Sequence, residues 1–134
     1  MPTESPGRVT IIVVNWNGRR FLEDCLGCLS RQTYPNREII LVDNGSADTS
    51  VTYVKERFPD IKIHRLTENR GFTGGNAEGL KLAKGDFIAL VNNDTRVDER
   101  WLENLLQPMI ENPTVGICAS KLIFTEKHEI NSAG

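Results

Sequence analysis

Two acid-amide clusters, each at the end of an apolar run, hold the residues of this chain best suited to chemistry. Asn92-Asn93-Asp94-Thr95 follows the run Phe87 to Val91, and Asp43-Asn44-Gly45-Ser46 follows Glu38 to Val42. Both runs read as strands buried inside a sheet, the first as its central strand. A parallel sheet gathers polyanionic ligands beyond the carboxyl ends of its strands, where loops and helix N-termini converge. A carboxylate placed there repels a phosphate, so Asp94 implies a divalent ion, Mg²⁺ or Mn²⁺, between them. Asp43 is placed to accept a hydrogen bond from the ring N–H of a pyrimidine. The competing reading makes Asn-Asp-Thr a cap for the helix that follows Asp98. Two such clusters on one sheet edge favour a ligand site.

The segment Asn69-Arg70-Gly71-Phe72-Thr73-Gly74-Gly75-Asn76 follows a third strand and opens a helix. Backbone N–H groups and the positive helix end can there face a phosphate, with Arg70 as a charged donor. It lacks the terminal Gly-Lys-Ser/Thr of a Walker loop. A dinucleotide fingerprint would fall after the first strand, where Asn15-Trp16-Asn17-Gly18 stands instead. The same absence argues against a dehydrogenase and against a sugar nucleotidyltransferase. An ordinary turn with close helix packing is the alternative account of these glycines.

Alternating strands and helices must position these groups. Val9 to Val14, Glu38 to Val42, Ile61 to Leu66 and Phe87 to Val91 read as strands, the third nearer an edge. Arg19 to Arg31 reads as a helix with Phe21, Leu22, Cys25, Leu26 and Leu29 on one face. A second helix, capped by Ser46 or Asp48, carries Val51, Val54 and Phe58. A third runs from Gly71 to Lys84. A fourth runs from Asp98 to about Ile110, with Trp101, Leu102 and Leu105 as a core stripe and Pro108 bending or shortening its last turn. Val115 to Phe124 should start another strand. The order implies an α/β fold, a mostly parallel sheet with helices on both faces.

The 134 residues fit one domain or a piece of one, with residues 1–8 as a flexible N-terminus and 9–134 as the domain. A net charge of -2, from 16 basic and 18 acidic residues, supplies no broad basic field, so no nucleic-acid partner is expected. Cys25, Cys28 and Cys118 make an odd count. The first two have CxxC spacing but sit in the helical pattern, and no second pair completes a metal tetrad, which favours core thiols in a reducing compartment. His64 reads as a strand residue and His128 as a surface one. No segment has the character of a signal peptide or the length of a membrane span, so a cytoplasmic domain is expected, peripheral to the inner membrane face in a longer protein.

VVNWNG at Val13 to Gly18, LVDNGSADTS at Leu41 to Ser50, ENRGFTGGNAEGL at Glu68 to Leu80 and LVNNDTRV at Leu90 to Val97 together resemble inverting family 2 glycosyltransferases of the GT-A fold. The resemblance lies near the rhamnosyltransferase-like branch and runs from about Val9 to the end. It implies transfer of a sugar from a nucleotide diphosphate donor, with dTDP- or UDP-sugars favoured and dTDP-rhamnose as the branch-level choice. The acceptor is a hydroxyl of a saccharide or lipid-linked saccharide. Asn15, Asn17, Asp43 and Asn44 then hold the nucleoside, and Arg70, Gly74 and Asn76 surround ribose and diphosphate. Asn92-Asn93-Asp94 takes the Asp-x-Asp position, with Asp94 as the metal-facing acid and Asn92 replacing the first acid.

The family's catalytic base, an Asp or Glu in the acceptor half, has no convincing match, since Glu126 and Glu129 precede its expected position. The expectation is therefore a donor-binding part whose base lies beyond Gly134, inactive alone and prone to form a homodimer through uncovered apolar surface. A nucleotide-sugar-binding module without catalysis is the alternative from another class.

Overall fold

The first strand, β1 (Val9–Asn15), forms because VTIIVVN is uncharged and rich in β-branched side chains, which suits a strand covered on both faces. The computed structural model describes residues 7–124 and 130–132. Its elements continue with α1 (Arg19–Ser30), β2 (Arg37–Asp43), α2 (Ser50–Arg57), β3 (Lys62–Arg65), α3 (Gly71–Leu82), β4 (Phe87–Asn92), α4 (Trp101–Glu111), β5 (Leu122–Ile123) and β6 (Ile130–Ser132). Residues 7–31 and 35–97 make one compact unit, and residues 32–34 with those from 98 onward make another. No helix among the described residues is long and apolar enough to cross a membrane.

The first unit is a parallel sheet in the order β3-β2-β1-β4. Its α1 and α2 step the chain from β1 to β2 to β3, whereas α3 carries it back across to β4. Right-handed crossovers in opposite directions place helices on opposite faces, so α3 lies alone on one side. That side holds a core of Ile12, Ile40, Val42 and Leu66, with Val14 and Leu82 against it. Two glycines let α3 settle there. A Cβ on Gly79 would lie 2.6 Å from Ile12 Cγ2, and one on Gly75 would lie 2.6 Å from Val14 Cγ1. Close helix packing therefore explains these two glycines. On α1, Leu22, Cys25, Leu26 and Leu29 are buried as their spacing predicts, while Phe21 is only half-buried.

The sheet corrects the reading of Phe87 to Val91 as a buried central strand. β3 is an edge strand as expected, but β4 is the other edge of the sheet as described. Its residues alternate: Ala89 and Val91 are buried, and Ile88 and Leu90 are 41% and 53% exposed. The reason is the position of α3, whose glycines rest on β1 and β2 and leave that face of β4 uncovered. A short apolar run is ambiguous in sequence, because uncovered and covered strand faces use the same residue types.

In the second unit the Gln32 side chain organises the start of α4. Its amide donates to Asp98 O at 2.7 Å and its carbonyl accepts the Leu102 N–H at 2.9 Å. Asp98 closes a turn by accepting the Arg100 and Trp101 N–H groups, so α4 begins at Trp101 rather than Asp98. The helix then runs through Pro108 to Glu111 without being shortened. Leu102 and Leu106 are its buried positions, and the half-buried Trp101 donates its ring N–H to Ser120. The strand expected to begin at Val115 is confined to Leu122–Ile123 and pairs antiparallel with Ile130–Ser132. His128, Glu126 and Glu129 lie outside the described residues.

The amino-terminal edge of the sheet is tied by Glu38. Its carboxylate accepts the Thr10 hydroxyl at 2.6 Å, the Lys84 N–H at 3.0 Å and the Arg8 guanidinium at 2.9 Å. The same Thr10 hydroxyl accepts the Gly85 N–H, and these bonds end α3 before Lys84. Burial alone pushes the Glu38 carboxyl up, but these donors and the Arg8 and Lys62 charges outweigh it and hold it below the ordinary range. A folded value below the unfolded one, about 4.3, stabilises the fold fully above that pH and loses the effect as pH falls through the folded value. Glu38→Gln is expected to lower the urea midpoint at about pH 7 and to flatten its further fall toward about pH 3. Urea titrations at both pH values check this, and parallel acid losses in the two proteins would contradict it.

Candidate functional site

At the carboxyl edge, strand register sets Asn15, Asp43 and Arg65 side by side across β1, β2 and β3. Asp43 is fully buried, which a carboxylate tolerates only when hydrogen-bonded. One oxygen accepts the Asn15 amide at 3.2 Å and the other accepts the Ser46 N–H at 3.0 Å. The Asn15 amide also reaches Ser46 Oγ at 3.3 Å, and Ser46 Oγ accepts the Asn17 N–H at 2.9 Å. Arg65 lies over this cluster, its Nε 3.9 Å from Asp43 and its Nη2 donating to Ser46 O.

Asn17 has φ +49, a left-handed conformation that asparagine tolerates better than most residues. The turn lets its side-chain carbonyl accept the N–H groups of Ala47 and Asp48. Asp48 in turn accepts the N–H groups of Arg19 and Ser50, joining the first residues of α1 and α2. Burial pushes the Asp48 carboxyl up, but the Ser50 and Arg19 donors and the Arg19 charge prevail and lower it. Neither expected cap is the N-cap of α2, which is Thr49: Asp48 sits one residue earlier and accepts the Ser50 N–H, and Ser46 bonds toward the exit of β1.

The start of α3 is pinned to β2 by Asn44. Its carbonyl accepts the Arg70 N–H and its amide donates to Gly71 O, both at 2.9 Å. Gly71 follows with φ +72, where other side chains are strained. A Cβ on Gly74 would meet Arg70 Cβ at 2.7 Å, so Gly74 makes room for the arginine stem. Arg70 itself is half-exposed and pairs with Glu78 at 3.1 Å, beside Lys81 and His64. Asn76 is buried and donates to Phe72 O in its own helix.

The exit of β4 is a turn closed by the Thr95 N–H on Asn92 O. Asn93 donates to Asn15 Oδ1 at 2.9 Å, whereas Asn92 and Asp94 are exposed. An open hollow of about 360 Å³ is lined by Val14, Phe72, Asn92, Asn93 and Asp94. No cluster of three or more His, Cys, Asp or Glu side chains suited to a metal occurs among the described residues. One carboxylate beside amide oxygens does suit an ion that keeps its waters and takes other ligands from a phosphate. Beneath the turn, burial together with the neighbouring Cys28 and Asp94 pushes the Cys25 thiol up to about 12, so it stays protonated at neutral pH.

The structure thus gathers Asn15, Asp43 and Asn44 as a buried support and sets Asn17, Arg70, Asn92 and Asp94 toward solvent. Gly74 and Asn76 shape α3. Sequence reasoning missed Arg65 and Phe72. The signal for Arg65 is its register with Asp43, which becomes visible only once β2 and β3 are paired.

A mostly parallel sheet flanked by helices, with polar groups gathered at its carboxyl edge, is a GT-A-like architecture. The model for "Glycosyl transferase family 2" matches residues 10–131, and the chain belongs to that family. It is 32% identical over 108 residues to glycosyltransferase GlyA of Streptococcus pneumoniae serotype 4, covering 78% of this chain and 15% of GlyA. It is 35% identical over 109 residues to GlyG of the same organism, covering 77% and 35%. Among solved structures it resembles the mannosyltransferase PcManGT of Pyrobaculum calidifontis, in complex with GDP-Man and Mn²⁺, with a TM-score of 0.75 and 28% identity. That match covers 84% of this chain and 35% of PcManGT. The chain spans about a third or less of each of these relatives.

Asn44→Ala leaves the Arg70 N–H and Gly71 carbonyl without their partner. The expected loss is about 1–3 kcal/mol in urea unfolding, with faster amide exchange at Arg70. Unchanged exchange there would contradict the pinning role.

Proposed function

We propose that this chain is the donor-binding part of a glycosyltransferase that moves a sugar from a nucleotide diphosphate sugar to a hydroxyl acceptor with inversion, assisted by a divalent metal. The observation that carries the reading is the meeting, at one sheet edge, of the Asp94 hollow, the pinned start of α3 and the Asp43 cluster. Asn15, Asn17, Asp43 and Asn44 form the nucleoside side, with the Asp43 carboxylate reading a base N–H. Arg70 exchanges Glu78 for the diphosphate, a charge-assisted pair with better geometry. Gly74 and Asn76 shape the helix start that meets ribose and diphosphate.

Asp94, with Asn92, would hold Mg²⁺ or Mn²⁺, and when bound the ion neutralises charge on the departing diphosphate. Mn²⁺ with a nucleotide sugar in PcManGT supports this assignment. The base that deprotonates the acceptor is neither Asp43 nor Asp48. At this edge Asp43 is buried and Asp48 is engaged with two helix starts. The donor reading is a dTDP- or UDP-sugar, dTDP-rhamnose in particular, and GDP-mannose is its rival through PcManGT. The role fits assembly of cell-envelope polysaccharide at the inner face of the membrane, on saccharide or lipid-linked saccharide acceptors.

Asp94→Ala is expected to abolish Mn²⁺-dependent binding of a nucleoside diphosphate while leaving thermal stability unchanged, because the residue is exposed outside the sheet. Calorimetric titration with UDP, dTDP and GDP checks it, and undiminished binding by the variant would remove the assignment. Asp43→Asn should weaken nucleoside diphosphate binding more than pyrophosphate binding. Equal losses for both ligands would contradict a base-reading role.

A further inference from the structure

The pair Cys25 and Cys28 lies one helical turn apart on α1, the i, i+3 spacing that puts both on one helix face. Both thiols are buried, Cys25 bonded to the backbone of the turn that carries Asp94 and Cys28 to the segment that leaves it. The Cys25 thiol donates at 3.6 Å to Asn92 O, the same carbonyl that accepts the Thr95 N–H and closes the turn. The Val97 N–H donates to the Cys28 sulfur at 3.3 Å, and the Cys28 thiol donates to Cys25 O at 3.1 Å. Arg96 pairs with Asp24 at 3.8 Å, a third contact between this segment and the middle of α1. At its upper end Gly18 allows Asn93 to sit against Asn15. A Cβ there would lie 2.5 Å from Asn15 Oδ1 and would collide with Asn93 Nδ2.

We propose that Cys25 and Cys28 are positioning residues for the Asp94 turn, holding its backbone through sulfur hydrogen bonds so that Asp94 faces the hollow. The CxxC spacing then serves neither a disulfide nor a metal. The two sulfurs instead meet the chain at Asn92, where the turn opens, and at Val97, two residues past its close. Backbone support from beneath leaves the Asp94 side chain turned to solvent, where an ion and a diphosphate can meet it.

This inference rests on the metal role proposed for Asp94, and the test separates the two. Cys25→Ser/Cys28→Ser keeps a donor and acceptor at each position, whereas Cys25→Ala/Cys28→Ala, of nearly equal size, removes them. In the full chain without metal, Thr95 and Val97 amides are expected to exchange about tenfold faster in the alanine pair than in the serine pair. Mn²⁺-dependent binding of UDP and GDP should weaken about tenfold in the alanine pair and stay within about threefold of the parent in the serine pair. If the alanine pair does not fold, Cys28→Ala alone is compared with Cys28→Ser at Val97.

Equal exchange at Thr95 and Val97 in serine and alanine variants overturns the proposal. Equal Mn²⁺ affinity in all three proteins also overturns it, while the Asp94 assignment stands. Failure of the parent to bind Mn²⁺, with the exchange difference present, overturns the metal assignment and upholds the support of the turn.

Discussion

The side chain of Asn15 is the constraint on which the carboxyl edge depends. Its amide donates to Asp43 and Ser46, its side-chain carbonyl accepts from Asn93, and its backbone carbonyl accepts the Asn44 N–H. One fully buried amide thereby joins the exits of β1, β2 and β4. Only a side chain with both donor and acceptor can do this. Aspartate would face Asp43 with like charge, and leucine would leave a buried carboxylate with fewer donors. Network members in such surroundings strengthen one another, so the three loops behave as one unit. The exposed groups Asn17, Arg70 and Asp94, proposed above to face the ligand, are displayed from that unit.

The opposite edge is held by the same means with other residues. Thr10 and Glu38 collect backbone N–H groups from the end of α3, fixing where that helix stops and where β4 starts. The span of α3 is thus set at both ends by side chains of β1 and β2, Asn44 above and Thr10 with Glu38 below. Gly75 and Gly79 bring the helix close enough for this to work. Past Gly71, the glycines along this stretch serve close packing.

Much of this was legible in the sequence because apolar runs, turn residues and charge breaks alternate strongly along residues 9–92. Each strand exit with Asn or Asp could be placed on one edge before any pairing was known. Three features were not legible, each for a physical reason. The exposure of Ile88 and Leu90 depends on where α3 lands, which no local pattern encodes. The burial of Asp43 depends on donors from Asn15 and Ser46 that come together only in the sheet. Cys25 and Cys28 were readable as core thiols, but their bonds to the Asp94 turn and the segment that leaves it follow from the register of β4 beside β1.

The claim that this edge is a nucleotide and metal site is tested most directly by a crystal structure of the chain grown with Mn²⁺ and UDP or GDP. Anomalous scattering would locate the ion. The account predicts the peak within bonding distance of an Asp94 carboxylate oxygen, in the hollow lined by Val14 and Phe72, with diphosphate oxygens completing its ligands. Nucleotide bound at this edge with the ion elsewhere, or bound away from the edge altogether, would contradict it.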